Sequence, residues 1–189
     1  MPGPTFIEGD RIDLRTVEEE DLEFLQRGTN HPEIRRYIDV FDTPRNREQQ
    51  RETFENVDSD DDATSLLVVP HGGSHAGEPV GSAQLYPVNP DRRWANLGTW
   101  LLPEAWGRGY ATEACSYLLD HAFLERGLHR VSASALAPNE DSVALCERLG
   151  FVHEGTSRDL GFVDGEFVDA ERYALLADEW DGAESVLDR

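Results

Sequence analysis

Residues Leu101–Ala114 read LLPEAWGRGYATEA, and this stretch decides the arrangement of the rest. An apolar strand end meets Pro103, and a helix opens near Tyr110. Helix starts ordinarily carry a polar cap. Here Gly107 and Gly109 flank Arg108 instead, which points to backbone that must approach something closely. The helix over 110–127 is the clearest in the chain. Ala111, Cys115, Leu118 and Ala122 recur at three- and four-residue steps, as do Leu119 and Phe123, and Gly127 stops it. A glycine loop at that position exposes N–H groups at the positive end of a helix dipole, a cradle for phosphate or pyrophosphate. Two familiar cradles are excluded. A P-loop requires a lysine, and the chain has none; a dinucleotide fingerprint requires a third glycine, and Tyr110, Ala111 and Thr112 follow Gly109 instead.

Working outward, residues Ile7–Val17 alternate apolar and polar and read as a half-buried first strand. A helix over 18–28 ends at Gly28, a second begins around Pro32, and a polar third covers 44–57. Strands follow over 64–69, 78–88 and 92–102. Beyond the main helix come a strand over 129–136, a helix capped by Asn139 and ended by Gly150, and a hairpin around Asp164-Gly165. The order predicts an α/β (α+β) chain forming a single domain over 1–189, with a mixed central sheet of about six or seven strands flanked by helices.

The 189 residues suffice for one well-filled core, and no apolar run approaches the ~18 needed to span a bilayer. The start, MPGPTFIEGDRIDLR, has no basic segment followed by an apolar block, so it does not read as a signal peptide. Cys115 and Cys146 fit no zinc or CxxC spacing and read as buried free thiols, which points to the cytoplasm. His71 and His75 lie in a Gly-rich turn with no third ligand spaced near them, so no metal is expected. The 38 acidic and 17 basic residues give a formal charge of −21, and every basic residue is an arginine. Such a surface repels nucleic acid and anionic membrane. Acidic excess without lysine reads as adaptation to high salt; an acidic surface unrelated to salt is the alternative. The run Asp58–Asp62 reads as a solvated loop.

One strand beyond the glycine loop, residues 139–151 read NEDSVALCERLGF. That helix start can sit beside the first, which brings Asn139 and Ser142 near a ligand held by Gly107–Thr112. Taken alone, Asn139 is a cap and Ser142 a first-turn polar residue. Together the two stretches resemble the GNAT acetyltransferase superfamily, in particular its RimJ/RimL-like branch, which acetylates protein N-termini. The opening 11–25 and the closing hairpin 153–176 resemble the same branch. The family's cofactor motif is Gln or Arg, two residues, Gly, one residue, then Gly or Ala. Residues Trp106 to Ala111 match it except at Trp106.

The resemblance implies acetyl-CoA as co-substrate, with its pyrophosphate on the N–H groups of Arg108, Gly109, Tyr110, Ala111 and Thr112. It implies a pantetheine arm paired like an added strand near Leu101 and Leu102, and Asn139 against the amide arm. Ser142 matches the family serine that protonates the departing thiolate. The implied reaction is direct attack of a neutral amine on the thioester, with no acyl-enzyme. The chain departs from the family at the general base. The carboxylate positions of relatives fall on Asn96 and Gly161; Asp159, two residues from Gly161, shares its face if the strand is regular and is the candidate catalytic base, with water relayed by backbone carbonyls the alternative. An α-amine has a pKa of about 7.7–8.0, so about a tenth is neutral at pH 7, whereas a lysine amine at about 10.4 is almost wholly protonated. A site short of a base therefore suits an α-amine. The expected partner is a peptide or protein N-terminus, including basic ribosomal ones, with the enzyme a monomer or homodimer. An acetyltransferase of a small amine such as an antibiotic or polyamine, and a non-catalytic acyl-CoA-binding module, remain open readings.

Overall fold

The computed structural model describes residues 2–38, 43–57 and 62–188. Among the described residues eight strands form one sheet: β1 (Thr5–Glu8), β2 (Ile12–Thr16), β3 (Thr64–Pro70), β4 (Gly81–Asn89), β5 (Trp94–Leu101), β6 (Arg130–Leu136), β7 (Val152–Val163) and β8 (Glu166–Leu176). Their spatial order is β1-β2-β3-β4-β5-β6-β8-β7. The helices are α1 (Leu22–Thr29), α2 (Pro32–Arg35), α3 (Arg47–Val57), α4 (Tyr110–Asp120), α5 (Glu140–Arg148) and α6 (Ala183–Leu187). The mixed sheet flanked by helices is the architecture expected. The acidic run from Asp58 lies outside the described residues up to Asp62.

The strand count exceeds the expected six or seven because Ile7–Val17 is not one strand. The chain reverses over residues 9–11, and β1 pairs antiparallel with β2. The Gly9 N–H donates to the Ile12 carbonyl at 2.9 Å, closing the reversal. Apolar alternation continued straight through that turn, so period alone did not reveal it. The helix expected to stop at Gly28 runs to Thr29. Gly28 serves packing instead: a Cβ there would fall inside the Trp100 indole, which stacks on Phe24 at 5.5 Å. The helix expected over 110–127 is α-helical only to Asp120, then widens into a π turn over His121–Glu125 before Gly127 ends it at φ 62°.

The core divides between the two faces of the sheet. One face carries Leu14, Val68, Ala83, Leu85, Ala95 and Val131 against Ala114, Cys115, Leu118 and Leu119 of α4. Full burial of a leucine contributes about 1.5–3 kcal/mol, and both α4 leucines have no exposed surface. The other face packs Leu67, Val69 and Leu102 against Phe24, Leu25 and Ile34 of α1 and α2. The central strand β3 therefore reads as a continuous apolar run.

All neighbouring strands are antiparallel except β5 and β6. These run parallel and pair only through Trp94↔Arg130, Ala95↔Val131 and Asn96↔Ser132. Beyond that point β5 continues to Leu101 and β6 to Leu136 without pairing to each other. The sheet thus opens in its middle, at the ends of two parallel strands that each lead into a helix.

Candidate active site

Strand β5 leads through a short 3-10 turn, Pro103–Ala105, into the glycine loop and α4. Gly107 (φ 68°) and Gly109 (φ 79°) both hold the left-handed backbone that other residues adopt only under strain. Gly109 is the residue before α4, and no side chain caps that helix start. Its first N–H groups, from Tyr110 to Thr112, have no carbonyl in a preceding turn to receive them. Backbone angles and an uncapped start of this kind suit an anion, with the helix dipole behind them.

A residue a hundred positions upstream shapes that cradle. Arg11, in the β1–β2 turn, donates through Nη1 to the Arg108 carbonyl at 3.0 Å and through Nε to Glu113 Oε2 at 2.8 Å. The Arg11 N–H reaches Glu113 Oε1 at 2.7 Å, and the Ile12 N–H reaches the same oxygen at 3.3 Å. Glu113, in the first turn of α4, is 1% exposed. Arg11 thus draws the Arg108 carbonyl toward the protein and leaves the loop's N–H groups to face outward. A Cβ on Gly109 would approach Arg11 Nη2 to 3.0 Å, so this glycine has a packing reason besides its backbone angle. Trp106, the departure from the family motif, donates its indole N–H to the Leu101 carbonyl at 2.8 Å and pins the loop to the end of β5.

These bonds narrow the strand edge expected near Leu101 and Leu102. The Leu101 carbonyl is taken by Trp106, and the Leu102 N–H donates to Val80 at 2.8 Å. The edge that faces the gap starts further back, at Leu97, where pairing with β6 has ended. Across the gap, Asn139 stands before α5, and its Oδ1 accepts from the Ser142 N–H at 3.3 Å. The cap reading of Asn139 is therefore correct. Because β5 and β6 are parallel neighbours, the starts of α4 and α5 lie at the same end of the sheet, which brings Ser142 to the side of the gap that also carries the glycine loop.

A cleft of about 610 Å³ occupies the point where β5 and β6 part; Asn96, Leu97, Ser132, Ser134 and Arg172 are among its lining. Asn96 lies on the last paired step. A Cβ at Gly161 would meet Leu136 Cδ2 at 2.5 Å, so a side chain there would require Leu136 to move. Asp159 does not share its strand face in the way a regular strand would require. The β7–β8 register breaks between Ser157 and Gly161, and Asp159 sits in that bulge at φ 51°. Its N–H donates to Asp169 Oδ1 at 2.9 Å, and its side chain is exposed. Burial pushes the Cys115 thiol up to about 12 and the Cys146 thiol up to about 11. Neither is suited to nucleophilic attack.

Sequence reading missed Arg11 and Glu113. No spacing in the sequence flags them; only the fold shows Glu113 buried beside Thr112, Ala114 and Cys115, where a carboxylate must find partners.

A family model described as an acetyltransferase (GNAT) domain matches residues 11–152. The chain is 32% identical over 175 residues to the protein named Putative ribosomal N-acetyltransferase YdaF from Bacillus subtilis (strain 168), spanning 92% of this chain and 95% of that one. The spermidine N-acetyltransferase of Vibrio cholerae, solved with CoA and spermine, superposes with a TM-score of 0.80 at 25% identity, over 89% of this chain and 97% of the other. RimL, a ribosomal L7/L12 α-N-protein acetyltransferase solved with CoA, superposes at 0.82 and 19% identity, over 93% and 99%.

Proposed function

The chain belongs to the GNAT acetyltransferase family, and from that premise we propose that it acetylates the N-terminal α-amine of a protein or peptide. It is an N-acetyltransferase, and acetyl-CoA is its co-substrate. The site fits that molecule: a left-handed glycine loop before an uncapped helix suits a pyrophosphate, and the open edge of β5 suits an extended amide arm. Acetyl-CoA supplies the thioester carbon that the amine attacks. The protein supplies position and charge. The N–H groups of residues 108–112 hold the phosphates. The gap between β5 and β6 aligns the arm with the cleft. Asn139 positions the arm, and Ser142 protonates the leaving thiolate.

The observation that carries the choice of acceptor is the absence of a carboxylate at both expected base positions. Asn96 stands at one, and Gly161 at the other. An amine protonated nearly all the time at pH 7 needs a base, whereas an α-amine is neutral about a tenth of the time. Asp159, in its bulge, does not fill that role; water relayed by backbone carbonyls receives the proton.

The test compares peptides of varied first residue with spermidine in a CoA-release assay near pH 7. Peptides are expected to give kcat/KM at least about tenfold above spermidine. Faster turnover of spermidine would overturn the α-amine reading in favour of the chemistry named for the Vibrio relative.

The same reading places residues 1–189 in one domain, acting in the cytoplasm as a monomer or homodimer on N-termini such as those of ribosomal proteins. The −21 charge without lysine is read as salt adaptation.

A further inference from the structure

The acceptor cleft is positive in a chain of charge −21. Its charged lining residues are Arg130, Arg172 and Glu154, two cations against one anion. Arg130 is spent on Glu154, with Nη1 on Oε1 at 2.7 Å and a second bond from Nη2 to Oε2. Arg172 is not. Its Nε donates to Ser157 Oγ at 3.1 Å, and among the described residues no carboxylate pairs with it. The chain holds 38 carboxylates for 17 basic residues. A guanidinium left without one beside the reaction point is therefore not explained by scarcity of partners.

The register shows where Arg172 stands. Asn96 pairs with Ser132 and Ser134 pairs with Arg172, so all four share one face of the sheet. With strands about 4.8 Å apart and alternate residues about 6.7 Å apart, the Arg172 backbone lies about 12 Å from that of Asn96. An arginine stem and an acidic side chain together bridge most of that span. An extended peptide advances about 3.3 Å per residue. An amine beside Asn96 thus places the side chain of its second or third residue within reach of the guanidinium.

We propose that Arg172 reads a carboxylate at the second or third residue of the acceptor peptide, so that the enzyme prefers acidic N-termini. This rests on the α-amine reading. The overall negative field draws in an acceptor whose distant body is basic; the local guanidinium selects an acid next to its amine. Arg172 is exposed at the mouth of the cleft, free to receive a carboxylate, and a guanidinium fork can take one bidentately and with geometric selectivity. A linear polyamine offers Arg172 nothing but repulsion.

The experiment uses the full chain and three peptides that begin with serine and differ only at positions two and three: Glu-Glu, Gln-Gln and Arg-Arg. For the parent, KM for the acidic peptide is expected at least about tenfold below that for the basic one, with kcat nearly equal. Arg172→Gln is expected to shrink the ratio to about twofold or less, and Arg172→Glu to invert it. Arg172→Lys should keep part of the preference. Arg158→Gln, on the same hairpin and outside the cleft lining, should keep all of it. A parent that turns over all three peptides with equal KM overturns the inference and leaves the α-amine reading standing. So does a preference that survives in a folded Arg172→Gln protein. If no peptide is acetylated while spermidine is, the α-amine reading fails and this inference with it.

Discussion

Glu113 and Glu154 are both carboxylates held by an arginine, one at the glycine loop and the other at the cleft where β5 and β6 part. Glu113, at the glycine loop, has a side chain 1% exposed and accepts from two backbone N–H groups as well as Arg11. Glu154, at the acceptor cleft, has a side chain 43% exposed and pairs with Arg130 alone. That guanidinium holds the Glu154 carboxyl below its ordinary range. A second exposed pair joins Arg36 to Asp164 at the hairpin tip, with both side chains about half exposed or more. A buried, fully bonded carboxylate fixes geometry because water cannot replace its partners; an exposed pair exchanges with water at little cost. Rigidity is thus concentrated at the glycine loop, while the cleft between β5 and β6 is edged by pairs that exchange with water.

The sharpest way to break this contrast is Glu113→Ala. It strands the Arg11 and Ile12 N–H groups and frees Arg11 from the loop. Stability is expected to fall by about 2–4 kcal/mol, read by urea unfolding, with acetyl-CoA affinity falling too. A loss under about 1 kcal/mol would mean the brace is ornamental.

Next in size is Ser142→Ala. If the hydroxyl protonates the thiolate, kcat drops by roughly 10²-fold while calorimetric acetyl-CoA binding is largely kept. An unchanged kcat would reduce Ser142 to a first-turn residue of α5.

Gly109→Val tests the loop itself. Its φ of 79° and the nearby Arg11 leave a branched side chain no unstrained place. Acetyl-CoA affinity should weaken at least tenfold, about 1.4 kcal/mol. Equal affinity in a folded variant would remove the loop from the binding site.

The smallest effects belong to the exposed side. Asp164→Asn should cost no more than about 1 kcal/mol, the range for exposed pairs. Salt addresses the surface as a whole. The melting temperature should climb from 0.1 M to beyond 1 M KCl as repulsion between carboxylates is screened. It should climb less in a variant with exposed Glu23, Glu166 and Asp178 changed to Gln and Asn. Equal slopes would separate the acidity from salt adaptation, since exclusion of salt from the protein surface acts on both proteins alike.

Much of this molecule is local and therefore legible. The α4 and α5 helices show their apolar steps and their stops. The Asp164-Gly165 turn shows both residues at positive φ, as the dipeptide implies. The glycine loop announces a cradle because only glycine takes its backbone angles without strain. Less legible were the places where local pattern and packing disagree. The β1–β2 reversal hides inside an unbroken alternation. Gly28 looks like a helix stop and is instead the floor under Trp100. Asp159 looks two residues in register from Gly161 and is thrown out of it by a bulge.

Legible from the chain alone were most of the elements, the family resemblance and a glycine loop suited to a phosphate. Each of these is set by propensities and backbone limits acting over a few residues. What stands behind that loop and across from it was set by long-range packing. Arg11 reaches Glu113 over 102 positions, and Arg172 comes to face the cleft through pairing of β5 with β6 and β6 with β8. Neither contact leaves a period or a spacing in the chain. Both exist because burying the two faces of one sheet forces distant strands into register, and side chains on a shared face then become neighbours whatever their separation in sequence.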